Sequence, residues 1–264
     1  MNSFIPKTEG VFYGVPEAIY RQAPGISNSS LKGIDQSPAH YLARLRTPWE
    51  TTQAQVIGHI THTATLEPHL PPLYVVRPAG LTFTTKEGKA WRDSQSLPII
   101  TEEEAAQISG MSAAVNRHPF ARSILNRSEK EVSAFKLDEA TGLLIKGRAD
   151  MVFMDDDNHT VVADLKTCED ARPAQFMRDA AKWQYHRQAA FYCDLFGASQ
   201  FVFICVEKSA PHGVTVMQYS PEAIQTGRTM YRAALATIAA CQATNDWPGY
   251  SHEIAEIGLP YYAR

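Results

Sequence analysis

The sequence predicts an α/β (α+β) fold, a single domain in which a central mixed sheet is flanked by helices. Apolar runs of strand length gather in the middle of the chain, between residues 131 and 219. Amphipathic helical patterns precede them, fall among them at 173–196 and close the chain after them. The 264 residues are enough to bury a substantial core, and they contain no internal repeat or low-complexity segment.

Residues 1–25 hold Pro6, Pro16 and Pro24 and little periodicity, and read as an irregular lead-in packed on the domain. Ser30 to Arg46 reads as two short helices, the second with Ser37 as N-cap and Pro38 at its first position. Thr52 to Leu66 is a longer helix that ends before Pro68. Leu73–Val76 fits a short strand, and 77–100 is polar and loop-like, with a helical turn or two around Ala90. Thr101-Glu102-Glu103-Glu104 is a capping box opening a helix to about Asn116, and a short helix around Phe120–Leu125 follows. Strands are expected near Glu131–Leu137, Leu143–Phe153 and Thr160–Thr167, then a helical region over Pro173–Phe196 broken near Lys182. Phe201–Val206 and Val214–Tyr219 supply further strands, and Ser220-Pro221-Glu222 starts a final long helix to about Gln242.

The stretch from Gly147 to Lys166 reads as two apolar strands joined by a tight turn, Asp155-Asp156-Asp157-Asn158-His159. Asp150 lies on the first strand, while Asp164 and Lys166, two apart on the second, point the same way. The hairpin can bring two carboxylates and an ammonium together beside a sheet. Two carboxylates can hold a hard cation such as Mg2+. A lysine beside them can orient or deprotonate a water, or stabilise a phosphoryl oxygen, which is the minimum equipment for metal-assisted hydrolysis of a phosphodiester. The Leu165 carbonyl is a further candidate ligand. The competing reading is a plain Asp164–Lys166 ion pair. Spacing alone does not separate the two, because Glu87-Gly88-Lys89 repeats the pattern in a segment that reads as a solvated loop. Burial favours a site: Val161, Val162, Ala163 and Leu165 form the near-continuous apolar run of an interior strand, where unpaired charges are costly.

Other side chains are weaker candidates. Taken alone, His62, with Glu67 just beyond its helix, fits a hydrogen-bonded core histidine better than a ligand, and His59 is read as structural. Glu131 is balanced between a further ligand, direct or through water, and a surface glutamate beside Glu129 and Lys130. Gln188 and Tyr192 share a helix face and can bond phosphate oxygens or orient Lys166, although a tyrosine in Ala-Ala-Phe-Tyr is by default core.

Net charge is −3, against the basic balance usual for nucleic-acid proteins. The acids are concentrated in Glu102-Glu103-Glu104 and Asp155-Asp156-Asp157. Arg172, Arg178, Lys182 and Arg187 form one basic cluster, and Lys86, Lys89 and Arg92 another. Each is either a solvated polar face or a local surface for DNA phosphates. Cys168, Cys193, Cys205 and Cys241 are widely spaced, which fits isolated reduced thiols in the cytoplasm. No run of eighteen apolar residues suggests a membrane span, and no basic-then-apolar amino terminus suggests a secretory signal.

Asp150 followed by Asp164-Leu165-Lys166 resembles the core of the PD-(D/E)xK nucleases, and the wider context is similar to the RecE-type exonuclease domain, exodeoxyribonuclease VIII. Ile26-Ser27-Asn28-Ser29-Ser30-Leu31 and Ser37-Pro38-Ala39-His40-Tyr41 resemble that family's opening helices, and Gly58-His59-Ile60-Thr61-His62 with Leu66-Glu67-Pro68 its histidine-bearing helix. Thr85-Lys86-Glu87-Gly88-Lys89-Ala90 resembles its polar loop, and the segment from Tyr185 to Tyr192 its Gln-x-x-x-Tyr helix. No one motif is decisive; their order and spacing make the match. Ala149 stands where the family name places proline.

The resemblance implies one nuclease domain over residues 1–264 with its catalytic core at 130–219, and a Mg2+-dependent exonuclease, Mn2+ substituting, that digests one strand of linear duplex DNA from its 5′ end. It makes His62 a metal ligand or scissile-phosphate contact and gives Gln188 and Tyr192 supporting roles. It further implies phage- or prophage-type recombination in a bacterial or phage-infected cytoplasm, a single-strand annealing partner and a homo-oligomeric ring around DNA. Relatives with an iron–sulfur cluster carry Cys-Pro where Ser37-Pro38 stands, so no such cluster is expected. Two other readings stay open: another PD-(D/E)xK nuclease acting as an endonuclease, and a non-catalytic DNA-binding or assembly protein that keeps the fold.

Overall fold

The structure, a computed structural model, describes residues 8–47 and 51–259. In chain order its elements are β1 (Gly10–Phe12), α1 (Glu17–Gln22), a 3-10 turn (Ser30–Gly33), α2 (Pro38–Arg46), α3 (Gln53–Leu66), β2 (Val75–Val76), α4 (Lys86–Asp93), β3 (Ile99–Ile100), α5 (Glu102–Arg117) and α6 (Pro119–Arg127). Then follow β4 (Glu129–Leu137), β5 (Leu144–Met154), β6 (Thr160–Cys168), α7 (Pro173–Lys182), α8 (Tyr185–Phe196), β7 (Gln200–Glu207), β8 (Val214–Gln218) and α9 (Pro221–Thr244). Side-chain caps start many of the helices: Ser37, Thr52, Thr85, Thr101 and Ser220 each accept the amide three residues on. Thr52 with Gln55 and Thr101 with Glu104 make full capping boxes. The break between α7 and α8 falls at Gln184, in the left-handed conformation at φ 56° and ψ 41°.

The middle of the chain pairs into a six-stranded mixed sheet in the order β1-β4-β5-β6-β7-β8. β6 and β7 are parallel, and α7 and α8 make the crossover between them; the other neighbours are antiparallel. Helices cover both faces, which is why β6 is apolar on both. Val161, Ala163 and Leu165 pack in one core with Ile60, Met111 and Ile124 of α3, α5 and α6. Val162, on the opposite face, packs with Phe176 of α7 and Ala189 and Cys193 of α8. α9 closes a third cluster, with Tyr231 and Leu235 against Phe191 and Leu195 of α8.

The sheet divides between β5 and β6. Their ladder runs only from Met154↔Thr160 to Met151↔Ala163. Beyond it β5 stays with β4 as far as Leu137↔Leu144, and β6 stays with β7 as far as Cys168↔Glu207. α8 packs against both arms of the fork. A Cβ at Gly147 on β5 would lie 2.6 Å from Leu195 Cδ2, so glycine there lets the helix approach.

Two sequence expectations are corrected. The lead-in is not wholly irregular: Gly10–Phe12 adds to the open edge of β4, and Glu17–Gln22 is helical. Both pieces are too short for periodicity to reveal, and residues 1–7 lie outside the described residues. The 77–100 segment is more ordered than its polarity suggests. Thr85 caps α4, so Glu87-Gly88-Lys89 lies in a helical first turn, and β3 pairs with β2 in a separate two-stranded parallel ladder. Among the described residues no helix is long and apolar enough to cross a membrane.

Helix propensity alone favours alanine over glycine by about 1 kcal/mol. At Gly227 of α9, however, a Cβ would stand 2.0 Å from the His186 carbonyl oxygen at the start of α8. Gly227→Ala is therefore expected to lose roughly 1–3 kcal/mol in urea unfolding, with Thr229→Ala, on the exposed side of α9, within about 0.5 kcal/mol of the parent. A Gly227→Ala protein as stable as the parent would show that α8 and α9 do not pack this closely.

Candidate active site

Where the β5–β6 ladder stops, the Leu165 amide donates to Asp150 Oδ2 at 2.8 Å. The carboxylate takes the place of a strand partner and bridges the fork. His62 of α3 sets its Nδ1 3.2 Å from the same oxygen. On β6, Lys166 Nζ lies 2.5 Å from Asp164 Oδ2, and Gln188 Nε2 donates to Asp164 Oδ1 at 2.6 Å. The Lys166 ammonium also sits 4.7 Å from the centre of the Tyr185 ring. These side chains meet at a groove of about 1100 Å³, walled by α1, the 3-10 turn, α3 and the start of α8.

Burial and charge oppose each other here. Burial pushes the Asp150 carboxyl up, but His62, Lys166 and the Leu165 amide together hold it below the ordinary value. Burial also pushes Asp164 up, and the Asp150 charge adds to that against the pull of Lys166. Burial works against the Lys166 ammonium, yet Asp164 and Asp150 hold its pKa above that of an ordinary lysine. For His62 the two carboxylates outweigh burial and raise the imidazole. Neighbouring acids thus repel one another, and further positive charge between them is favoured.

Among the described residues no three His, Cys, Asp or Glu side chains form a ready-made metal cluster. A Mg2+ site does not require one, because that ion keeps several waters and uses one or two carboxylates with substrate phosphate. Asp164 Oδ2 is buried against the Lys166 ammonium, and Asp150 presents its carboxylate to His62 and the Leu165 amide. Two neighbouring carboxylates offer the oxygen donors that suit a hard cation.

The other candidates fall into three groups. Glu131 lines the groove with its backbone at φ 52°, in the left-handed region unusual for a non-glycine residue, and its carboxylate is held by Arg148 Nε at 2.5 Å. Burial and the Asp150 charge raise its pKa against Arg148. Tyr192 does not touch the acids or the lysine; its hydroxyl donates to the Arg148 carbonyl at 3.1 Å and braces the β5 arm. Leu165 contributes its amide to Asp150, its side chain being core.

The basic clusters are the main correction. Arg187 is buried at 1% exposure, bonded through Nη1 to both Asp35 oxygens at 2.7 Å and through Nε to Asn28 Oδ1 at 3.3 Å, so it cannot face DNA. Arg172 is exposed but engaged by Asp170, and Arg178 and Lys182 are exposed on α7. Lys86, Lys89 and Arg92 are exposed on α4, with Arg92 paired to Asp93. None of these residues lines the groove. The cations that do include Arg21, Lys32, Arg44 and Arg148. They are scattered singly along the chain, so no charge run marked them; only Arg148, two before Asp150 on the same strand, was within reach of the motif.

The sequence profile of a PDDEXK-like domain of unknown function (DUF3799) matches residues 27–259, and the chain belongs to that family. The crystal structure of a provisionally named exonuclease from Eubacterium rectale is similar in fold, with a TM-score of 0.60 and 14% identity over 89% of this chain and 91% of that chain. A phage-related exonuclease from Haemophilus somnus 129PT aligns over 84% of this chain and 97% of that chain at 14% identity and a TM-score of 0.38. The comparison with curated proteins gives no match.

Breaking a buried ion pair typically costs about 3–5 kcal/mol. Asp35 keeps 35% side-chain exposure, which places this pair at the low end. Arg187→Ala is expected to lose roughly 3 kcal/mol of unfolding free energy, while Arg178→Ala should change it by less than about 0.5 kcal/mol. Equal stability of the two variants would return Arg187 to the surface.

Proposed function

We propose, starting from membership of this PDDEXK-like family, that the chain is a Mg2+-dependent deoxyribonuclease, an exonuclease digesting one strand of linear duplex DNA from its 5′ end. The observation that carries the reading is the meeting of Asp150, Asp164, Lys166 and Gln188 at the fork of the sheet, on a groove edged by cations. The 5′ polarity, the annealing partner, the ring and the role in recombination rest on the RecE resemblance. A groove with Lys32 and Arg44, which form no salt bridge among the described residues, supports a polyanionic substrate.

Asp150 and Asp164 would hold the ion, with the Leu165 carbonyl, His62 and Glu131 as further ligands, direct or through water. When bound, the cation supplies charge stabilisation at the phosphoryl and leaving oxygens. Gln188 fixes one oxygen of Asp164 and leaves the other turned to Lys166. The Leu165 amide and His62 both hold Asp150 through Oδ2. Lys166, kept protonated by its carboxylate neighbours, acts as a hydrogen-bond donor: it positions the attacking water or steadies a phosphoryl oxygen.

Linear duplex DNA should be degraded with Mg2+ or Mn2+ but not with Ca2+ or chelator, since Ca2+ binds oxygen at longer distances and in looser geometry. Covalently closed circles should survive. Asp164→Asn should lower the rate by a factor of about 10² or more while the protein stays folded, because the amide keeps the shape of the side chain and an oxygen for Lys166. Lys166→Ala should lose activity yet still bind metal. Cleavage of closed circles would favour an endonuclease, and DNA binding without degradation would favour a non-catalytic binder. Full activity in chelator would falsify the metal requirement.

A further inference from the structure

Trp183 has no role in the reading above, yet it is a large exposed aromatic on the groove wall. It stands at the junction of α7 and α8, where the left-handed Gln184 turns the chain, and it is 51% exposed. Tyr185, two residues on, is the ring against which the Lys166 ammonium rests. The indole therefore lines the same groove as Asp150 and Lys166, next but one in sequence to the ring that Lys166 touches.

Its surroundings are cationic. Lys32 Nζ lies 5.9 Å and Lys182 Nζ 5.3 Å from the indole ring centre, both on exposed lysines. At these distances, and on solvated side chains, the contacts are weak and easily displaced. Arg44 also lines the groove, and burial together with the charges of Arg187, Lys166 and Arg44 lowers the Lys32 pKa. A flat π-face with two ammoniums close to it suits a nucleobase and its flanking phosphates. Every base has a face to stack, so such a platform binds without sequence preference. A base can stack there only after leaving its own helix.

We propose that Trp183 is the stacking platform for an unpaired nucleobase of the strand entering the site, with Lys32 and Lys182 on the phosphates flanking that base. This rests on the nuclease reading and refines it: the strand reaches Asp150 and Asp164 single-stranded, from a frayed end. Lys182, one of the cations expected from sequence to contact DNA, then acts at the mouth of the groove rather than along α7.

The test is binding of a short labelled oligodeoxythymidylate, and of the same strand built from abasic residues, by fluorescence anisotropy with Ca2+ in place of Mg2+. The wild-type protein should bind the abasic strand about 5- to 150-fold more weakly, the range typical of base stacking on an aromatic side chain. Trp183→Ala should lose a similar factor on the normal strand and no longer distinguish the two, and Trp183→Phe should keep most of the discrimination. Equal binding of both strands by the wild type needs no variant to fold, and it overturns the platform. So does a Trp183→Ala protein that discriminates as the wild type does. If the wild type binds neither strand, the platform is again overturned, and degradation of linear duplex with Mg2+ decides separately whether the nuclease reading stands.

Discussion

The division of the sheet between β5 and β6 is the constraint on which the rest of the site depends. Pairing stops at Met151↔Ala163, and the next residues on the two strands are Asp150 and Asp164. Had the ladder continued, the Leu165 amide would be committed to a backbone carbonyl and the groove would be filled by sheet. Because it stops, a side chain satisfies that amide and the two carboxylates stand at the mouth of an opening. α8 holds the arms apart and in register with each other: Gln188 ties the β6 arm at Asp164, and Tyr192 ties the β5 arm at the Arg148 carbonyl. Gly147 lets α8 come close enough to do this, and Gly227 lets α9 press on α8 from behind.

The electrostatics follow from that geometry. Carboxylates brought together at a fork and turned away from bulk water repel one another, and one of them is pushed up while the other is pushed down. Lys166 relieves part of this at Asp164, as does His62 at Asp150. Cations and acids line the groove together, so a chain of net charge −3 still presents local positive charge beside Asp150.

Much of the fold was legible because β6 is buried on both faces and its apolar run is nearly continuous, and because Thr52, Thr101, Ser37 and Ser220 announce their helices. The strand parity that aligned Asp164 with Lys166 is the parity seen, with Val162 on the same face. Other features left no local trace. β1 and β3 are three and two residues long and exist only through partners distant in sequence. Where β5 and β6 part company is a matter of pairing, which alternation cannot show. Arg187 looked like one more cation in a basic run, and only the long-range contact with Asp35 removes it from the surface. Lys32, Arg44 and Trp183 become neighbours of the site through tertiary packing of the 3-10 turn, α2 and the α7–α8 junction.

The central claim is that Asp150 and Asp164 together form a divalent-cation site. It is tested most directly by titrating Mn2+ into the protein calorimetrically, alongside the Asp150→Asn/Asp164→Asn variant, which keeps the shape of both side chains and removes their charge. The wild type should show saturable binding and a melting temperature that rises with Mn2+, as any ligand of the native state requires. The variant leaves Lys166 without a charged partner and is expected to be somewhat less stable without metal, and it should show neither heat nor stabilisation when Mn2+ is added. A folded variant that binds Mn2+ as tightly as the wild type, or a folded wild type that does not bind it, would contradict the account.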